Sequence, residues 1–385
     1  MRILHFYKDY YPDSTGGIEQ VIRQICVGTA RVGATSEVLT LTAGHELAPI
    51  AFEGHTIYRV HRDLNIASTG IALGAFAELK RLAAEADIVH YHFPWPFMDL
   101  AHFAAGIDKP TVVTYHSDIV RQKNLLRLYA PLKRKFLRSV DTIVATSPNY
   151  LATSTVLDRY RDKTRTITYG LDRSTYPPPS ESLLDKWRAV VGEKFFLFVG
   201  VLRYYKGLHI LLDAVADLDY PVVIVGAGPI EAELKAHALR LGLTHVLFLG
   251  FLGDEDKIAL LTLSYAMVFP SHLRSEAFGI SLLEGAMFGK PLISSEIGTG
   301  TSYINVHDET GLVVPPSDAA AFRQAMVTLW NNPSLAAAMG RSAAERYTRL
   351  FTAERMASNY MALYRELVAR HADVAATARH DVARS

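Results

Sequence analysis

The sequence predicts an α/β protein made of two doubly wound parallel sheets, and three observations lead to this fold class. The chain of 385 residues is longer than one ordinary hydrophobic core and suits two domains of about 150–200 residues each. Short apolar runs rich in β-branched residues alternate with helical patterns along its length, which is typical of parallel sheets. This alternation pauses once, at Tyr176–Ser180 (YPPPS), and then begins again.

The first half of the chain contains a series of runs that we predict to be strands. They are Ile3–Tyr7, Ser36–Thr42, Asp87–His92, Pro110–His116, Asp141–Ser147 and Arg165–Tyr169. An amphipathic helix follows the first strand, because a set of apolar residues falls near one helical face. These residues are Ile18, Val21, Ile22, Ile25, Cys26 and Val32. Gly33 is the predicted end of this helix.

The second half repeats the pattern. Its predicted strands are Phe195–Gly200, Pro221–Gly226, Val246–Gly250, Ala266–Pro270, Pro291–Ser295 and Gly311–Pro315. The proline run between the halves is stiff and poor in N–H donors, which indicates an interdomain linker. The predicted segments are domains over residues 1–175 and 176–350, an amphipathic helix over 351–371 and a polar tail over 372–385. In doubly wound sheets ligands bind at the strand carboxyl ends, which we expect to face a central cleft.

Composition excludes several classes of protein. A net charge of +1 and 21% charged residues give no indication of a nucleic-acid binder. The single cysteine, Cys26, excludes an internal disulfide and a cysteine-based zinc cluster. The amino terminus lacks the apolar region of a signal peptide, and no run reaches the ~18 apolar residues of a membrane span. We therefore expect a cytoplasmic protein.

One strongly basic segment, Arg121–Arg138, leaves two interpretations open. It carries seven basic residues and no acidic one, with leucine, tyrosine and phenylalanine between them. A solvated helix with an apolar inner stripe explains the pattern. So does a helix lying on an anionic membrane surface, where each cation contributes about 1 kcal/mol.

Two glycine-containing turns follow predicted strands and precede helices. Gly16 and Gly17 follow the first strand, and Gly226–Pro229 (GAGP) follows a strand of the second half. Glycine allows close approach of a ligand to the backbone, and helix amino termini attract anions. Tight turns without a ligand use the same residues, so each motif alone is a weak indication of a phosphate site.

A pair of cations comes directly after the first strand of the second half, within Arg203–Gly207 (RYYKG). Arg203 can hold a phosphate bidentately and Lys206 can act as a compact point charge. Together they are suited to neutralising a diphosphate leaving group, although ordinary surface cations would look the same.

The most specific motif runs from Glu276 to Glu284 (EAFGISLLE). We predict Glu276 in a loop and Glu284 about two turns inside the following helix, with the two acids about 80° apart around the axis. They would then hold two parts of one ligand, a sugar and a ribose. The N–H groups of Phe278, Gly279, Ile280 and Ser281 are free donors at the helix start, and Glu284 needs a partner if it is buried.

Glu276–Glu284 resembles the E-x7-E signature of the retaining glycosyltransferases of family 4, which have the GT-B fold of two Rossmann-like domains. Arg203–Gly207, Gly16-Gly17 and Thr114–Asp118 (TYHSD) match that family in order and spacing, and the likeness covers residues 1–371. Within the family, the chain looks most like bacterial O-antigen and polysaccharide mannosyl- or rhamnosyltransferases.

The resemblance implies a role for each matching residue. Those implied to bind the donor pyrophosphate are Arg203 and Lys206, with Gly17 against the phosphate. Glu284 is implied to bind the ribose and Glu276 the donor sugar, with His116 at the reaction centre. The wider donor site would include Gly16, Gly226, Phe278, Gly279 and Ile280.

Further elements also have counterparts in the family. The loop Glu296–Thr301 is implied to line the phosphate site. The carboxyl-terminal helix is implied to pack on the first domain. A basic helix of that domain often touches membranes in this family, which favours the membrane interpretation of Arg121–Arg138.

The resemblance also implies the chemistry. Retention without an identifiable carboxylate nucleophile favours front-face substitution, in which the departing phosphate helps to remove the acceptor proton. The quoted motifs contain no Asp-x-Asp pair, so we expect no metal or other cofactor, with Arg203 and Lys206 supplying positive charge. The expected donor is GDP-mannose or GDP-rhamnose, and the expected acceptor is a glycan or polyprenyl-diphosphate-linked glycan on the inner face of the membrane.

Several alternatives stay open. The enzyme could use a UDP-sugar, could be a nucleotide-sugar 2-epimerase of the same fold, or could be a silent nucleotide-sugar-binding partner of an assembly complex. A dinucleotide oxidoreductase is disfavoured because neither half has a full G-x-G-x-x-G. His116 and His92 could be structural, and Asp118 could orient the acceptor or cap a helix.

Overall fold

The computed structural model describes residues 1–66, 69–119 and 123–382. It divides into two compact units. The first contains Met1–Thr146, Ser154–Gly170 and the chain from Ala353 onward, and the second contains Ser147–Thr153 and Leu171–Thr352. Our predicted boundary at residues 175 and 176 lies inside the second unit, because Leu171 pairs there with the residue that follows the helix Pro333–Leu350. Its N–H donates to the Phe351 carbonyl at 2.9 Å.

The sheet of the first unit has eight strands in the order β10-β9-β8-β7-β1-β2-β4-β3. Neighbouring strands are parallel except β3, which is antiparallel to β4. A separate antiparallel pair is formed by β5 and β6. The strands are β1 (Arg2–Phe6), β2 (Thr35–Thr42), β3 (Ile50–Phe52), β4 (His55–His61), β5 (Leu64–Ile66), β6 (Thr69–Ile71), β7 (Ile88–Phe93), β8 (Thr111–Tyr115), β9 (Thr142–Ala145) and β10 (Thr164–Thr166).

All strands predicted for this half are present, each within a few residues of its predicted ends, whereas β3 to β6 were missed. The longest of the missed strands, β4, keeps only His55 and Ile57 buried and leaves the rest of its side chains half-exposed. A strand beside the sheet edge does not need the continuous apolar run that marks a central parallel strand.

Five α-helices are described in the first unit. They are α1 (Gly17–Ala30), α2 (Gly74–Glu85), α3 (Pro96–Ala105), α4 (Lys123–Ser139) and α14 (Ala353–Val382). Helix α1 buries Val21, Ile22, Ile25 and Cys26 as predicted. Val32 was wrongly included in this face. It lies beyond the helix and is 44% exposed, because the helix ends at Ala30 before the chain turns at Gly33, whose φ is +87°.

Helix α14 packs against α1 so closely that a Cβ on Gly28 would lie 2.6 Å from the Ala357 Cβ. Tyr360 and Tyr364 of α14 are fully buried. The helix continues to Val382, through most of the segment for which we predicted a polar tail. Alanine is frequent in this segment and has the highest helix propensity, so the chain remains helical although the surrounding residues are polar.

The second unit has a six-stranded parallel sheet in the order β13-β12-β11-β14-β15-β16. The strands are β11 (Phe196–Val199), β12 (Val222–Val225), β13 (Val246–Gly250), β14 (Ala266–Phe269), β15 (Leu292–Ser295) and β16 (Gly311–Val314). Every predicted strand of this half is present. The order reverses between β11 and β14, and the ligand crevice of a doubly wound sheet forms at such a point.

Nine α-helices are described in the second unit, and several cover the two faces of its sheet. They are α5 (Pro148–Thr153), α6 (Glu181–Val191), α7 (Leu208–Ala214), α8 (Glu231–Arg240), α9 (Asp254–Leu263), α10 (Ile280–Met287), α11 (Thr301–Ile304), α12 (Ala319–Asn331) and α13 (Pro333–Leu350). Within the described ranges, no helix combines the length and apolarity needed to cross a bilayer.

Candidate active site

The loop that carries Arg203 and Lys206 follows β11 and contains a 3₁₀ turn at Tyr204–Lys206. Gly207 ends this turn with φ of +69°, and a Cβ there would lie 2.0 Å from the Pro270 carbonyl oxygen. Only glycine fits both conditions. The turn is therefore held against the carboxyl end of β14, at the reversal of strand order.

Lys206 and Glu276 meet directly in this region. The Lys206 Nζ lies 2.5 Å from Glu276 Oε2, and the two side chains are only 12% and 11% exposed. Ser271 donates a hydrogen bond to the same carboxylate oxygen at 3.3 Å. The Phe269 ring centroid lies 5.0 Å from Nζ. Two predicted site residues from separate loops thus form one mostly buried ion pair.

Arg203 lies at the start of the same turn and is exposed. Among the residues that the structure describes, it forms no ion pair. Its guanidinium is therefore available to an anion at the edge of the Lys206–Glu276 pair.

Glu284 is buried in α10, and it has the partners that burial requires. Its Oε1 accepts a hydrogen bond from the Tyr176 hydroxyl at 2.8 Å and lies 3.1 Å from Lys257 Nζ. Burial alone would lower the pKa of Lys257, but Glu284 and Asp254 raise it above its usual value. Neither partner was predicted. Tyr176 was assigned to a linker, and Lys257 stands in an ordinary charged helix start.

The predicted helical relationship between the two acids is wrong. Helix α10 begins at Ile280, with Gly279 before it at φ of +96°, so Glu276 lies in the preceding loop, as predicted, but the predicted 80° angle between the acids does not apply. Glu284 lies about one turn inside it, rather than two. The left-handed conformation of Gly279 breaks the helical path between the acids, and the two carboxylates contact different lysines.

The start of α10 lies two residues after Phe278, the first of the predicted donors. The first N–H groups of this helix, including those of Ile280 and Ser281, have no partner within the helix by construction. Gly279 fits against β14, since a Cβ there would lie 3.2 Å from the Phe269 ring. The Phe278 side chain is buried, with its ring centroid 6.1 Å from that of Phe351. We therefore assign Phe278 to packing through its side chain, which leaves only its backbone for a ligand.

The loop Glu296–Thr301 lies against the same helix start. The Gly300 N–H donates to the Ala277 carbonyl at 2.9 Å, and a Cβ on Gly300 would lie 2.5 Å from the Phe278 ring. Arg274 closes the loop by donating to the Gly298 carbonyl at 2.8 Å. The loop predicted to line the phosphate site is thus brought next to α10.

The second glycine motif has a structural explanation. Gly226 has φ of +135°, and a Cβ there would lie 2.0 Å from the Gly200 carbonyl oxygen. Gly228 approaches the Leu202 carbonyl oxygen in the same way, at 2.4 Å. Both glycines allow two loops to touch through their backbones. Helix α8 begins at Glu231, two residues after this motif.

The first glycine motif opens α1, with Gly16 before the helix and Gly17 as its first residue. Glu19, in the first turn, is buried and accepts a hydrogen bond from Ser14 Oγ at 2.9 Å. Its carboxylate is 2.5 Å from where a Cβ on Gly16 would be. Burial raises the pKa of Glu19. This acid was missed, although acidic residues are typical of a first helical turn.

His116 lies just after β8 and is the end of a chain of buried imidazoles. His5 Nδ1 and His92 Nε2 are 3.1 Å apart, and His92 Nδ1 and His116 Nε2 are 2.9 Å apart. His116 Nδ1 is also hydrogen-bonded to the Tyr169 hydroxyl. Burial lowers the pKa of His5 and of His116 to about 3, and it lowers that of His92 well below its usual value.

Because these rings are neutral, the chain has only two proton arrangements. A neutral imidazole has one N–H and one bare nitrogen, so each ring donates in one direction and accepts from the other. All three protons are therefore on Nδ1, pointing toward Tyr169, or all are on Nε2, pointing toward His5. Either way His5 Nε2 is left over, and it has no hydrogen-bond partner.

A second buried network joins β7, β8 and α14. His90 bonds to Thr114 Oγ1 and to the Tyr364 hydroxyl, each at 2.7 Å, and Tyr360 contacts the same threonine oxygen at 2.8 Å. The histidines of the two networks, His5, His90 and His92, bring nitrogens within 4.8 Å of one another. Both ring nitrogens of His90 and of His92 are already hydrogen-bonded, so we assign the cluster to hydrogen bonding instead of a metal site.

Asp118 accepts hydrogen bonds from the Tyr115 hydroxyl at 2.9 Å and from Ser154 Oγ at 3.4 Å. It ties the end of β8 to the segment after α5. Of the basic segment, positions 121 and 122 lie outside the described residues, and α4 is described from Lys123.

Two Asp-x-Asp tripeptides occur outside the motifs considered above. In the first, Asp217 pairs with Arg323. In the second, Asp254 lies 3.0 Å from Lys257 Nζ, and Asp256 accepts a hydrogen bond from Trp187 Nε1 at 2.9 Å. Asp217 and Asp256 thus hold neighbouring elements together, and Asp254 forms an ion pair within α9.

Comparisons with known proteins agree with this geometry. The model for glycosyl transferases group 1 matches residues 180–346, and that for glycosyltransferase family 4 matches residues 15–175. The chain is 64% identical to the D-rhamnosyltransferase WbpZ of Pseudomonas aeruginosa, over 92% of this chain and 93% of that one. It is 51% identical to the O-antigen chain mannosyltransferase C of Escherichia coli, over 96% and 99%.

Solved structures share the fold at lower identity. Sucrose-phosphate synthase from Thermosynechococcus elongatus superposes with a TM-score of 0.77 at 22% identity, covering 96% of this chain and 99% of that one. Anabaena HepE in complex with UDP and glucose gives 0.74 at 22% identity, covering 94% and 98%.

Proposed function

The chain belongs to the glycosyltransferases of family 4, which have the GT-B fold, and from this premise we propose that it transfers mannose or rhamnose from a GDP-sugar in cell-surface polysaccharide synthesis. The sugar follows from the two relatives above, one named as a D-rhamnosyltransferase and the other as an O-antigen mannosyltransferase. The guanine base follows from the sequence resemblance. The proposed acceptor is a glycan or a polyprenyl-diphosphate-linked glycan.

The observation that supports this proposal best is the Lys206–Glu276 ion pair beside the free guanidinium of Arg203. In the proposal, Arg203 and Lys206 bind the donor pyrophosphate and Glu276 binds the sugar. A cation and an acid in contact suit a ligand that has a diphosphate directly attached to a hydroxyl-rich ring. Glu284, oriented by Tyr176 and Lys257, binds the ribose.

We propose retention by front-face substitution. The acceptor oxygen attacks the anomeric carbon on the face from which the diphosphate departs, and the bond between that carbon and the phosphate oxygen breaks. The acceptor proton passes to the departing phosphate oxygen. Arg203, Lys206 and the first N–H groups of α10 stabilise the negative charge that develops, so the reaction proceeds without a metal.

In this scheme His116 acts as a neutral imidazole near the transferring sugar. Because burial lowers its pKa to about 3, the ring carries no extra proton at physiological pH and cannot serve as a general acid. Its bonds to His92 and Tyr169 engage both ring nitrogens and hold the ring in one orientation, so a hydrogen bond from His116 to a sugar hydroxyl would replace one of them. Gly16 and Gly17 approach the phosphate through their backbone, with Glu19 beside them.

A peripheral contact with the inner face of the membrane is part of the proposal. Helix α4 carries Arg127, Lys133, Arg134 and Lys135, and the Leu128 side chain on it is 81% exposed. Exposed cations next to an exposed leucine favour an anionic bilayer surface.

The test is a transfer assay with purified protein, EDTA and separate GDP-mannose, GDP-rhamnose and UDP-glucose donors. Transfer from a GDP-sugar with the anomeric configuration retained, measured by NMR of the product, is the expected result. Transfer only from UDP-glucose would show that the donor is a UDP-sugar and not a GDP-sugar. Activity that is lost in EDTA and restored by Mg²⁺ would show that the enzyme depends on a metal. Turnover of donor without acceptor would favour the 2-epimerase.

A further inference from the structure

A cavity of about 380 Å³ lies in the first unit between α4 and the segment Thr155–Tyr160. Its lining is formed by Arg127, Ala130, Lys133, Arg134, Leu137, Thr155, Val156, Arg159 and Tyr160. None of its lining residues is assigned above to the donor. It is also more defined than a basic helix surface, because a second element closes it and contributes Arg159.

Four of the lining residues are cations and none is an acid. Within the described part of the chain, Arg127, Lys133, Arg134 and Arg159 form no salt bridge, in contrast to Arg161, which pairs with Asp158. Burial lowers the pKa of Lys133, and the nearby arginines add to this effect while Asp118 and Asp99 oppose it. Unpaired cations gathered around one cavity repel each other, and a bound anion would offset that cost.

The rest of the lining is largely apolar. Leu137 and Tyr160 are buried, and Ala130 and Val156 are half-buried. A cavity with both cationic and apolar walls fits a ligand with an anionic group joined to a hydrocarbon. A free inorganic anion would leave the apolar wall without a partner.

The cavity is connected to the strand end where His116 lies. Asp118, two residues beyond His116, accepts a hydrogen bond from Ser154 Oγ at 3.4 Å, and Ser154 directly precedes the lining residue Thr155. The carboxyl ends of parallel strands are where ligands of such sheets bind. An anion in the cavity would therefore lie on the side of the first unit that is expected to hold the acceptor.

We propose that this cavity binds the diphosphate of a lipid-linked acceptor, with Arg127, Lys133, Arg134 and Arg159 around the phosphates and the lipid chain along Leu137 and Val156. The inference rests on the proposed function and adds to it a location for the acceptor anion. Arginine binds phosphate oxygens bidentately. A diphosphate diester carries two negative charges, which suits four cations better than the single charge of a membrane phosphodiester.

The first experiment is calorimetric titration of the full-length protein with inorganic pyrophosphate. Three double variants are compared with the wild type. Arg134→Ala/Arg159→Ala changes the cavity, and Arg203→Ala/Lys206→Ala changes the proposed donor site. The matched control, Arg138→Ala/Arg161→Ala, removes the same charge from α4 and from the 3₁₀ helix Leu157–Lys163, which also carries Arg159, at positions that do not line the cavity.

Two pyrophosphate sites are expected in the wild type and in the control. The cavity variant should lose one site and the donor-site variant should lose the other, so each proposal fails or stands separately. The inference would be overturned if the cavity variant still bound pyrophosphate at two sites. It would also be overturned if the cavity and control variants lost pyrophosphate binding equally. Circular dichroism of each variant verifies that the fold is retained.

The second experiment separates the acceptor from the bilayer as the source of phosphate. The KM for a polyprenyl-diphosphate-linked acceptor should rise on the order of tenfold or more in the cavity variant, as expected for lost hydrogen bonds to a charged group. Flotation with vesicles of phosphatidylglycerol and phosphatidylcholine should weaken equally in cavity and control variants. An unchanged KM together with vesicle binding lost only in the cavity variant would assign the cavity to phospholipid headgroups and overturn the proposal.

Discussion

Lys206 Nζ lies 2.5 Å from Glu276 Oε2, so two residues assigned to different parts of the donor are also partners of each other. Each helps to position the other, and neither can be removed without leaving a mostly buried charge behind. Their contributions to catalysis should therefore be coupled.

We expect Lys206→Ala and Glu276→Ala each to lower kcat/KM by roughly 10²–10³, which corresponds to about 3–4 kcal/mol of transition-state stabilisation. The double variant should lose less than the product of the two single losses, since residues in contact are not additive. Steady-state transfer kinetics measure this cycle. Strictly multiplicative losses would show that the pair is not coupled, and wild-type turnover in either single variant would remove the role assigned to that residue.

Replacement of Lys257 should destabilise the second unit. Lys257→Met leaves the Glu284 carboxylate buried without its cation, and breaking a buried pair in this way costs about 3–5 kcal/mol. Tyr176→Phe removes one hydrogen bond and should cost about 1–2 kcal/mol. Urea unfolding measures both. The control is Lys235→Met, which removes an exposed partner of Glu231 and should change stability by less than about 1 kcal/mol; an equal loss there would contradict the assignment.

The buried histidines predict acid sensitivity of the fold. The pKa of His116 and of His5 is lowered to about 3 in the folded protein, from an ordinary value near 6.5. The unfolded chain therefore binds more protons between these values, and the free energy of unfolding falls as pH drops from about 6.5 toward 3. Each histidine contributes about 1.4 kcal/mol per pH unit.

Denaturant unfolding at several pH values tests this sensitivity. His116→Gln should flatten the dependence between about pH 6.5 and 3. His371→Gln, which changes an exposed histidine on α14, serves as the control and should leave the dependence as in the wild type. Identical pH profiles for the wild type and His116→Gln would contradict the buried neutral state of His116.

The imidazole chain predicts one tautomer for three residues. His5, His92 and His116 should all be protonated on Nδ1 or all on Nε2, because each hydrogen bond needs one donor and one acceptor. Long-range ¹H–¹⁵N NMR of protein labelled at histidine distinguishes the two tautomers. A mixture within the chain, such as His92 on Nε2 with His116 on Nδ1, would mean that one of the bonds is absent.

Gly207→Ala should disrupt the donor loop. Its φ of +69° and the approach of a Cβ to 2.0 Å from the Pro270 carbonyl oxygen require the Arg203–Lys206 turn to move away from β14. The variant should lose transfer activity and at least ~1 kcal/mol of stability. Gly253→Ala is the control, since a Cβ there meets nothing within 4 Å. Activity at the wild-type level in Gly207→Ala would show that the loop position is not needed.

Local sequence patterns were sufficient for the central strands of both sheets and for the positions of the loops that carry Arg203, Lys206 and Glu276. The central strands could be predicted because a central parallel strand is buried on both faces and shows as a continuous apolar run. Strand β4, next to the sheet edge, has no continuous apolar run and was therefore not predicted. The resemblance to the family signature singled out Arg203, Glu276 and Glu284, because each of them lies in a short motif.

The tertiary structure alone decided which side chains meet. Burial of Glu284 indicated that a partner was needed, but many lysines and tyrosines satisfy that need equally in the sequence. Packing selected Lys257 and Tyr176, selected Lys206 for Glu276, and aligned His5, His92 and His116 in one chain. The sequence by itself determined the central strands, helix α1 and the loop motifs, since these depend mainly on neighbouring residues. Contacts between residues that are distant in the sequence depend on how the helices and strands pack, and no local sequence pattern predicts that packing.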